Sequence, residues 1–220
     1  MARKIDPANA AFDKIIGERR SHRKFTEKIP PDEMIESIIR AGLHAPFAAS
    51  AIGSRDDYFR RFIVIRKDSK AMKELIPLVY AEVVEMRDNL ANEVKKNADL
   101  QNRAASFMNR LNAINSMGMV PGVGTAPFYI VVTEKKGFPP VELQSLAHCL
   151  ENMWLKATAL DLGFQIVSVT TQMAENARFC SILGIEKGTW ALMGCAIGYP
   201  AETLSPSIRP SVREVTTWLE

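Results

Sequence analysis

Leu150-Glu151-Asn152-Met153-Trp154-Leu155-Lys156-Ala157-Thr158-Ala159-Leu160-Asp161-Leu162-Gly163-Phe164-Gln165-Ile166-Val167-Ser168-Val169 joins the end of one long helix to a short strand. Pro139-Pro140 opens that helix and Gly163 closes it, proline and glycine being the usual residues at the two ends. Leu143, Leu146, Leu150, Met153, Trp154, Leu155, Ala157 and Leu160 predict burial on most faces. The following Phe164–Val169 run is apolar and rich in β-branched residues, as a buried strand is.

The same signals recur on either side. Phe62–Ile65, Phe128–Val132 and Trp190–Gly198 are three more short apolar runs bounded by charge, glycine or proline. Pro7 starts a helical stripe of Ala11, Phe12, Ile15 and Ile16. Pro30-Pro31-Asp32-Glu33 opens a second helix, with Met34, Ile35, Ile38, Ile39 and Leu43 on its buried face. That helix stops before Ala45-Pro46, because a residue preceding proline avoids the helical region. From Asp68 or Ser69 to about Asn115 the spacing predicts two helices broken near Pro77, and Ala174–Leu183 predicts another. Four strands separated by helices indicate an α+β or α/β fold with helices on both sheet faces.

The chain has 220 residues, 47% of them hydrophobic and 24% charged, which suits a globular protein with a sizeable core. A net charge of +3 creates no global field toward nucleic acid or anionic lipid. No run approaches the length of a membrane span and the N-terminus has no apolar leader, so a cytoplasmic protein is expected. Cys149, Cys180 and Cys195 are odd in number and unpaired in spacing, which fits a reducing compartment.

Charge is nevertheless concentrated at Glu18-Arg19-Arg20-Ser21-His22-Arg23-Lys24-Phe25. Three guanidinium groups and a hydroxyl within five positions match phosphate oxygens well. A solvated charged face is the plain alternative. His148-Cys149 is an adjacent helical pair whose side chains diverge, so no metal is expected there. No nucleophile motif, dinucleotide fingerprint or P-loop is present, Gly118, Gly122 and Gly124 having the wrong spacing. No catalytic side chain is therefore assigned; such an enzyme leaves its chemistry to a cofactor.

Six collinear segments resemble the FMN-dependent nitroreductase family. They are Arg19-Arg20-Ser21-x-Arg23-x-Phe25, Ala41-x-x-x-Ala45-Pro46, Ala126-Pro127-x-x-Ile130-Val131-Val132, Glu151–Gly163, Leu183-Gly184-Ile185-x-x-Gly188, and Ile197–Glu202 followed by Arg209. They span nearly the whole chain except about residues 66–120. The resemblance implies one FMN-binding domain over residues 1–220, with 66–120 a helical insertion covering the active site. It implies an α+β sandwich, a central mostly antiparallel sheet wrapped by helices, in an intertwined homodimer with C-terminal strand exchange.

Carried residue by residue, the resemblance implies that Arg19, Arg20, Ser21, Arg23 and Arg209 bind the FMN phosphate and ribityl chain. Pro46, Phe47, Ala48 and Ser50 would approach the flavin ring from the other subunit. Ser168, Val169 and Thr170 would sit at a strand end beside flavin N5, where a donor stabilises developing negative charge. The implied activity is hydride or electron transfer from NAD(P)H through the flavin to an electron-poor acceptor such as a nitroaromatic or a quinone. A non-catalytic or regulatory flavin-binding protein is the alternative.

Two departures bear on this. The family's Pro-Ser-x-x-Asn-x-Gln-Pro-Trp loop is replaced by Pro46-Phe47-Ala48-Ala49-Ser50-Ala51-Ile52-Gly53-Ser54. Ser145 stands where many members carry an acid. Nucleic acid is not an expected partner, since exposed aromatics are not interleaved with the basic residues.

Overall fold

The computed structural model describes residues 6–52 and 58–219. Four strands, β1 (Arg60–Arg66), β2 (Phe128–Lys135), β3 (Gly163–Val167) and β4 (Trp190–Gly198), form a sheet in the order β1-β2-β4-β3. All three pairings are antiparallel, with Ile65 opposite Tyr129, Val132 opposite Met193 and Ile166 opposite Cys195. The fold is α+β, as expected. Helices are α1 (Pro7–Glu18), α2 (Asp32–Leu43), α3 (Ala49–Ile52), α4 (Lys70–Val94), α5 (Ala98–Met117), α6 (Glu142–Ala159), α7 (Ala177–Leu183) and α8 (Val212–Val215).

Side chains alternate across a strand, so the sheet has two apolar faces and both are covered. On one face Ile65, Tyr129, Val131, Leu192 and Ala196 pack against Met72, Leu75, Val79 and Val83 of α4, Leu111 and Ile114 of α5, and α7. On the other, Phe128, Ile130, Val132, Cys195 and Ile197 meet Ile35 and Ile38 of α2 and Leu146, Leu150, Met153 and Trp154 of α6. Burying each such side chain contributes about 1.5–3 kcal/mol. The α2–α6 contact is close: a Cβ on Gly42 would lie 2.9 Å from Met153 Cγ and 3.0 Å from Cys149 Sγ. Cys149, Cys180 and Cys195 are all buried and unpaired.

Several boundaries differ from the sequence expectation. The break in the middle region falls between Val94 and Ala98, not at Pro77, which lies inside α4. Burial of Met72 and Leu75 before Pro77 and of Val79 and Val83 after it holds the helix together across the lost hydrogen bond. Ser69 and Asn97 cap the two helices by accepting from Met72 and Leu100 N–H groups. The third strand ends at Val167, and Ser168–Glu175 forms a 3₁₀ helix. α6 keeps an exposed side, with Leu143 50% exposed, so its burial is less complete than its composition suggests. The stripe on α1 is not part of the core: none of its residues is buried.

The C-terminal segment, residues 205–219, is exposed along its length. Ile208, Val212, Val215, Trp218 and Leu219 are all exposed. No helix among the described residues is long and apolar enough to cross a membrane.

Candidate functional site

The basic segment leaves α1 at Arg19 and runs along the β3 end of the sheet. Ser21 bridges Phe164 in parallel, His22 N–H donates to the Phe164 carbonyl at 3.0 Å, and Phe25 bridges Pro200. Backbone hydrogen bonds therefore set its register. Its arginines then separate into two roles. The Arg19 guanidinium lies 4.2 Å over the Trp154 ring with Nε 3.3 Å from Glu151. Arg20 donates from Nε to the Ser205 carbonyl at 3.0 Å and from Nη1 to the Gly17 and Arg19 carbonyls, each at 2.7 Å. These two shape the segment. Arg23 is exposed and, among the described residues, has no hydrogen bond or ion pair; the half-buried Ser21 hydroxyl is likewise uncommitted.

His22 sits between them with its Nδ1 buried and unpartnered. Burial lowers its pKa below the ordinary 6.5, Glu202 opposing that shift and Arg20 adding to it.

The predicted trio at the end of β3 opens the 3₁₀ helix rather than closing the strand. Ser168 is exposed; Val169 and Thr170 are buried. The Thr170 hydroxyl turns into the core, donating to the Val167 carbonyl at 2.7 Å and lying 2.7 Å from the Tyr129 hydroxyl. Burial raises the Tyr129 pKa. A ligand at this edge would therefore meet backbone and Ser168, not the Thr170 hydroxyl.

A cleft of about 50 Å³ lies beside this edge, lined by Gln165–Val169, by Val83 and Met86 of α4, and by Phe107, Arg110, Leu111 and Ile114 of α5. That space holds a water or two, so a larger ligand would lie across its mouth. Gln165 donates to the Pro121 carbonyl at 2.9 Å, while its Oε1 is buried without a partner. Arg110 was not among the sequence-predicted site residues. It has no hydrogen bond or ion pair among the described residues. Arg110 is exposed at the cleft mouth; partial desolvation, then the charge of Arg23, lowers its pKa. A signal was present in the sequence: Phe107, Arg110, Leu111 and Ile114 recur at i, i+3, i+4 and i+7, one cation in an apolar stripe.

Pro46, Phe47 and Ala48 line a different cavity, of about 260 Å³, with Val141, Gln144, Ser145 and His148. Phe47 packs its ring 4.3 Å from Phe59, and Ser50 is exposed on α3. This loop follows α2, on the α2–α6 face of the sheet, whereas Ser168 and Arg110 belong to the α4–α5 face. Within one chain the sheet separates the two groups. Residues Gly53–Asp57 of the altered loop lie outside the described residues.

Beneath the second cavity is a buried network that the sequence did not disclose. Arg60 Nη2 donates to Ser145 Oγ at 2.8 Å, Ser145 Oγ donates to Glu134 Oε2 at 2.9 Å, and Arg60 Nη1 donates to the Gly42 carbonyl at 3.1 Å. Arg60 Nε is 3.3 Å from Glu134 Oε2, both side chains being essentially inaccessible. Burial raises the Glu134 pKa, against the hydrogen bond from Ser145 and the charge of Arg60. The carboxylate that Ser145 contacts comes from strand β2. Arg209 lies on the exposed tail, four residues beyond the Ser205 carbonyl that Arg20 holds.

A sequence profile described as the nitroreductase family matches residues 16–199. A search of curated proteins finds no match. Solved structures of similar fold include a nitroreductase with bound FMN from Desulfitobacterium hafniense DCB-2, 24% identical with a TM-score of 0.68, covering 96% of this chain and 98% of that one. A nitroreductase with bound FMN from Bacteroides fragilis NCTC 9343 is 19% identical with a TM-score of 0.65, covering 95% and 98%. An iodotyrosine deiodinase bound to FMN and 3-iodo-L-tyrosine is 15% identical with a TM-score of 0.65, covering 91% and 96%. The profile match extends from the end of α1 through β4 and includes the basic segment, both sheet faces and the cleft, so the chain belongs to the nitroreductase family.

Proposed function

We propose that the protein is an FMN-dependent oxidoreductase that works as a homodimer. The carrying observation is the uncommitted Arg23 beside the Ser21 hydroxyl, held at the β3 edge by backbone hydrogen bonds. These groups suit a phosphate, since guanidinium and hydroxyl donors are present and no carboxylate among the described residues pairs with them. Arg19 and Arg20 support the same end indirectly, by fixing the segment. Arg209 would reach it from the tail. When bound, FMN supplies the redox chemistry, taking a hydride from NAD(P)H and passing electrons to an electron-poor acceptor such as a nitroaromatic or a quinone. The chain's part is to hold the ring edge near Ser168, Val169 and Thr170 and to exclude water with α4 and α5. In this reading residues 1–220 form one FMN-binding domain and 66–120 its cover.

The placement of Pro46, Phe47, Ala48 and Ser50 across the sheet from Ser168 supports a crevice built from two copies of the chain. The exposed apolar tail supports the exchange of a C-terminal segment onto the partner's sheet. Three buried, unpaired thiols fit a cytoplasmic setting.

The test is an absorption spectrum of the purified protein followed by anaerobic addition of NADH and of NADPH. Flavin bands that bleach with either nucleotide support the reading. Flavin that only a chemical reductant bleaches would favour the non-catalytic alternative.

A further inference from the structure

The cleft wall facing the β3 edge is apolar apart from one group. Val83 and Met86 come from α4, and Phe107, Leu111 and Ile114 from α5; Arg110 is the only charged side chain lining it among the described residues. Phe107 is 46% exposed and lies three residues before Arg110, so ring and guanidinium share a helix face one turn apart. No acid among the described residues pairs with Arg110, and the second nearby charge, Arg23, is also positive. The buried Oε1 of Gln165 on the opposite wall has no donor. A planar apolar surface beside an unpaired guanidinium fits one chemistry well: an aromatic ring bearing an anionic substituent.

We infer that Arg110 is a specificity residue that selects aromatic acceptors carrying a carboxylate. This rests on the FMN-oxidoreductase reading and names the substrate class for that site. Assignment to the acceptor rather than to the cofactor phosphate rests on Arg110 lining the apolar α4–α5 wall, close as it also is to Arg23. Ser21 and Arg23 already provide donors at the edge where residues 21–25 meet the sheet, whereas Arg110 projects from the opposing helical wall. Its bidentate fork suits a carboxylate, and the exposed guanidinium at the cleft mouth is open to one.

The inference is tested on the flavin-loaded protein in its oxidised form, without reductant. Binding of 4-nitrobenzoate and of its uncharged methyl ester is followed by the perturbation of the flavin absorption bands. The wild type is expected to bind the carboxylate about tenfold more tightly than the ester. R110Q should abolish that preference with flavin content and circular dichroism unchanged, and R110K should retain part of it. Equal affinity for acid and ester in the wild type overturns the inference, whether or not the variants fold. So does an undiminished preference in R110Q, or loss of flavin from R110Q, which would assign Arg110 to the cofactor. Purified wild type that takes up no FMN overturns the flavoprotein reading itself, and this inference with it.

Discussion

The indole N–H of Trp154 donates to the backbone carbonyl of Arg20 at 3.1 Å. This bond ties the helix at the centre of one core to the segment proposed to grip the cofactor phosphate. The same ring stacks on Phe164 with centroids 5.3 Å apart and lies under the Arg19 guanidinium. Trp154→Phe retains an aromatic ring and removes the donor. It should lower stability by about 0.5–1.5 kcal/mol in urea unfolding and weaken flavin retention on gel filtration. Unchanged retention would show that the segment keeps its register from the sheet bonds alone.

The Arg60–Ser145–Glu134 network should be sensitive to loss of one partner. Arg60→Met leaves the Glu134 carboxyl buried without its cation and removes one donor from the Gly42 carbonyl, which keeps the Ala45 N–H. A cost of about 3–5 kcal/mol is expected in denaturant unfolding. A loss under 1 kcal/mol would mean that Glu134 is held in its neutral form and loses little with the arginine.

Arg23 and Arg20 should separate in their effects. Arg23→Ala should weaken FMN binding by about 1.5 kcal/mol, the low end for a charged hydrogen bond because the site is exposed. Arg20→Ala removes three hydrogen bonds to backbone carbonyls and should act chiefly on stability. Titration of the apoprotein with FMN, paired with thermal unfolding of each variant, reads the two effects apart.

His22 should make the basic segment sensitive to acid. Its folded pKa lies below 6.5, so the folded state binds fewer protons than the unfolded chain as pH falls through that value. The stabilisation is present above pH 6.5 and is lost as pH falls below it toward the folded pKa. Melting temperatures from about pH 8 down to about pH 5 should fall less steeply for His22→Gln than for the wild type. Parallel curves would assign the acid sensitivity elsewhere.

Gly194 meets Thr170 in the middle of the sheet. A Cβ there would lie 2.2 Å from Thr170 Oγ1 and 2.9 Å from Tyr129 Cε2. Gly194→Ala should destabilise by about 1–3 kcal/mol and displace the 3₁₀ segment, with a fall in flavin affinity beyond the loss of stability. Differential scanning calorimetry with and without FMN separates the two.

Local residue patterns determined much of the architecture. Apolar runs bounded by breakers located all four strands, because a strand buried on both faces must be apolar throughout and its flanks must turn. The order and spacing of six segments were enough to identify the family, and the profile match over residues 16–199 agrees. Where the reading missed, a long-range contact had overridden a local rule. Pro77 reads as a break, yet burial of its neighbours on the sheet carries α4 through it. Ser168–Thr170 reads as strand, yet Thr170 hydrogen-bonds to Val167 and Tyr129 and the chain turns into a 3₁₀ helix.

The candidate site divides along the same line. The sequence by itself determined which residue types could hold a phosphate, since guanidinium charge and hydroxyl donors are properties of the residues. Only the tertiary structure decided which of them are available. Arg19 and Arg20 are committed to Glu151, Trp154 and backbone carbonyls, and Arg23 is not. It also brought Arg110 from a helix outside the resemblance to the β3 edge, and put Pro46–Ser50 across the sheet from Ser168. Side-chain chemistry is written one residue at a time, whereas the partner of a charge, or its lack of one, is set by which elements pack together.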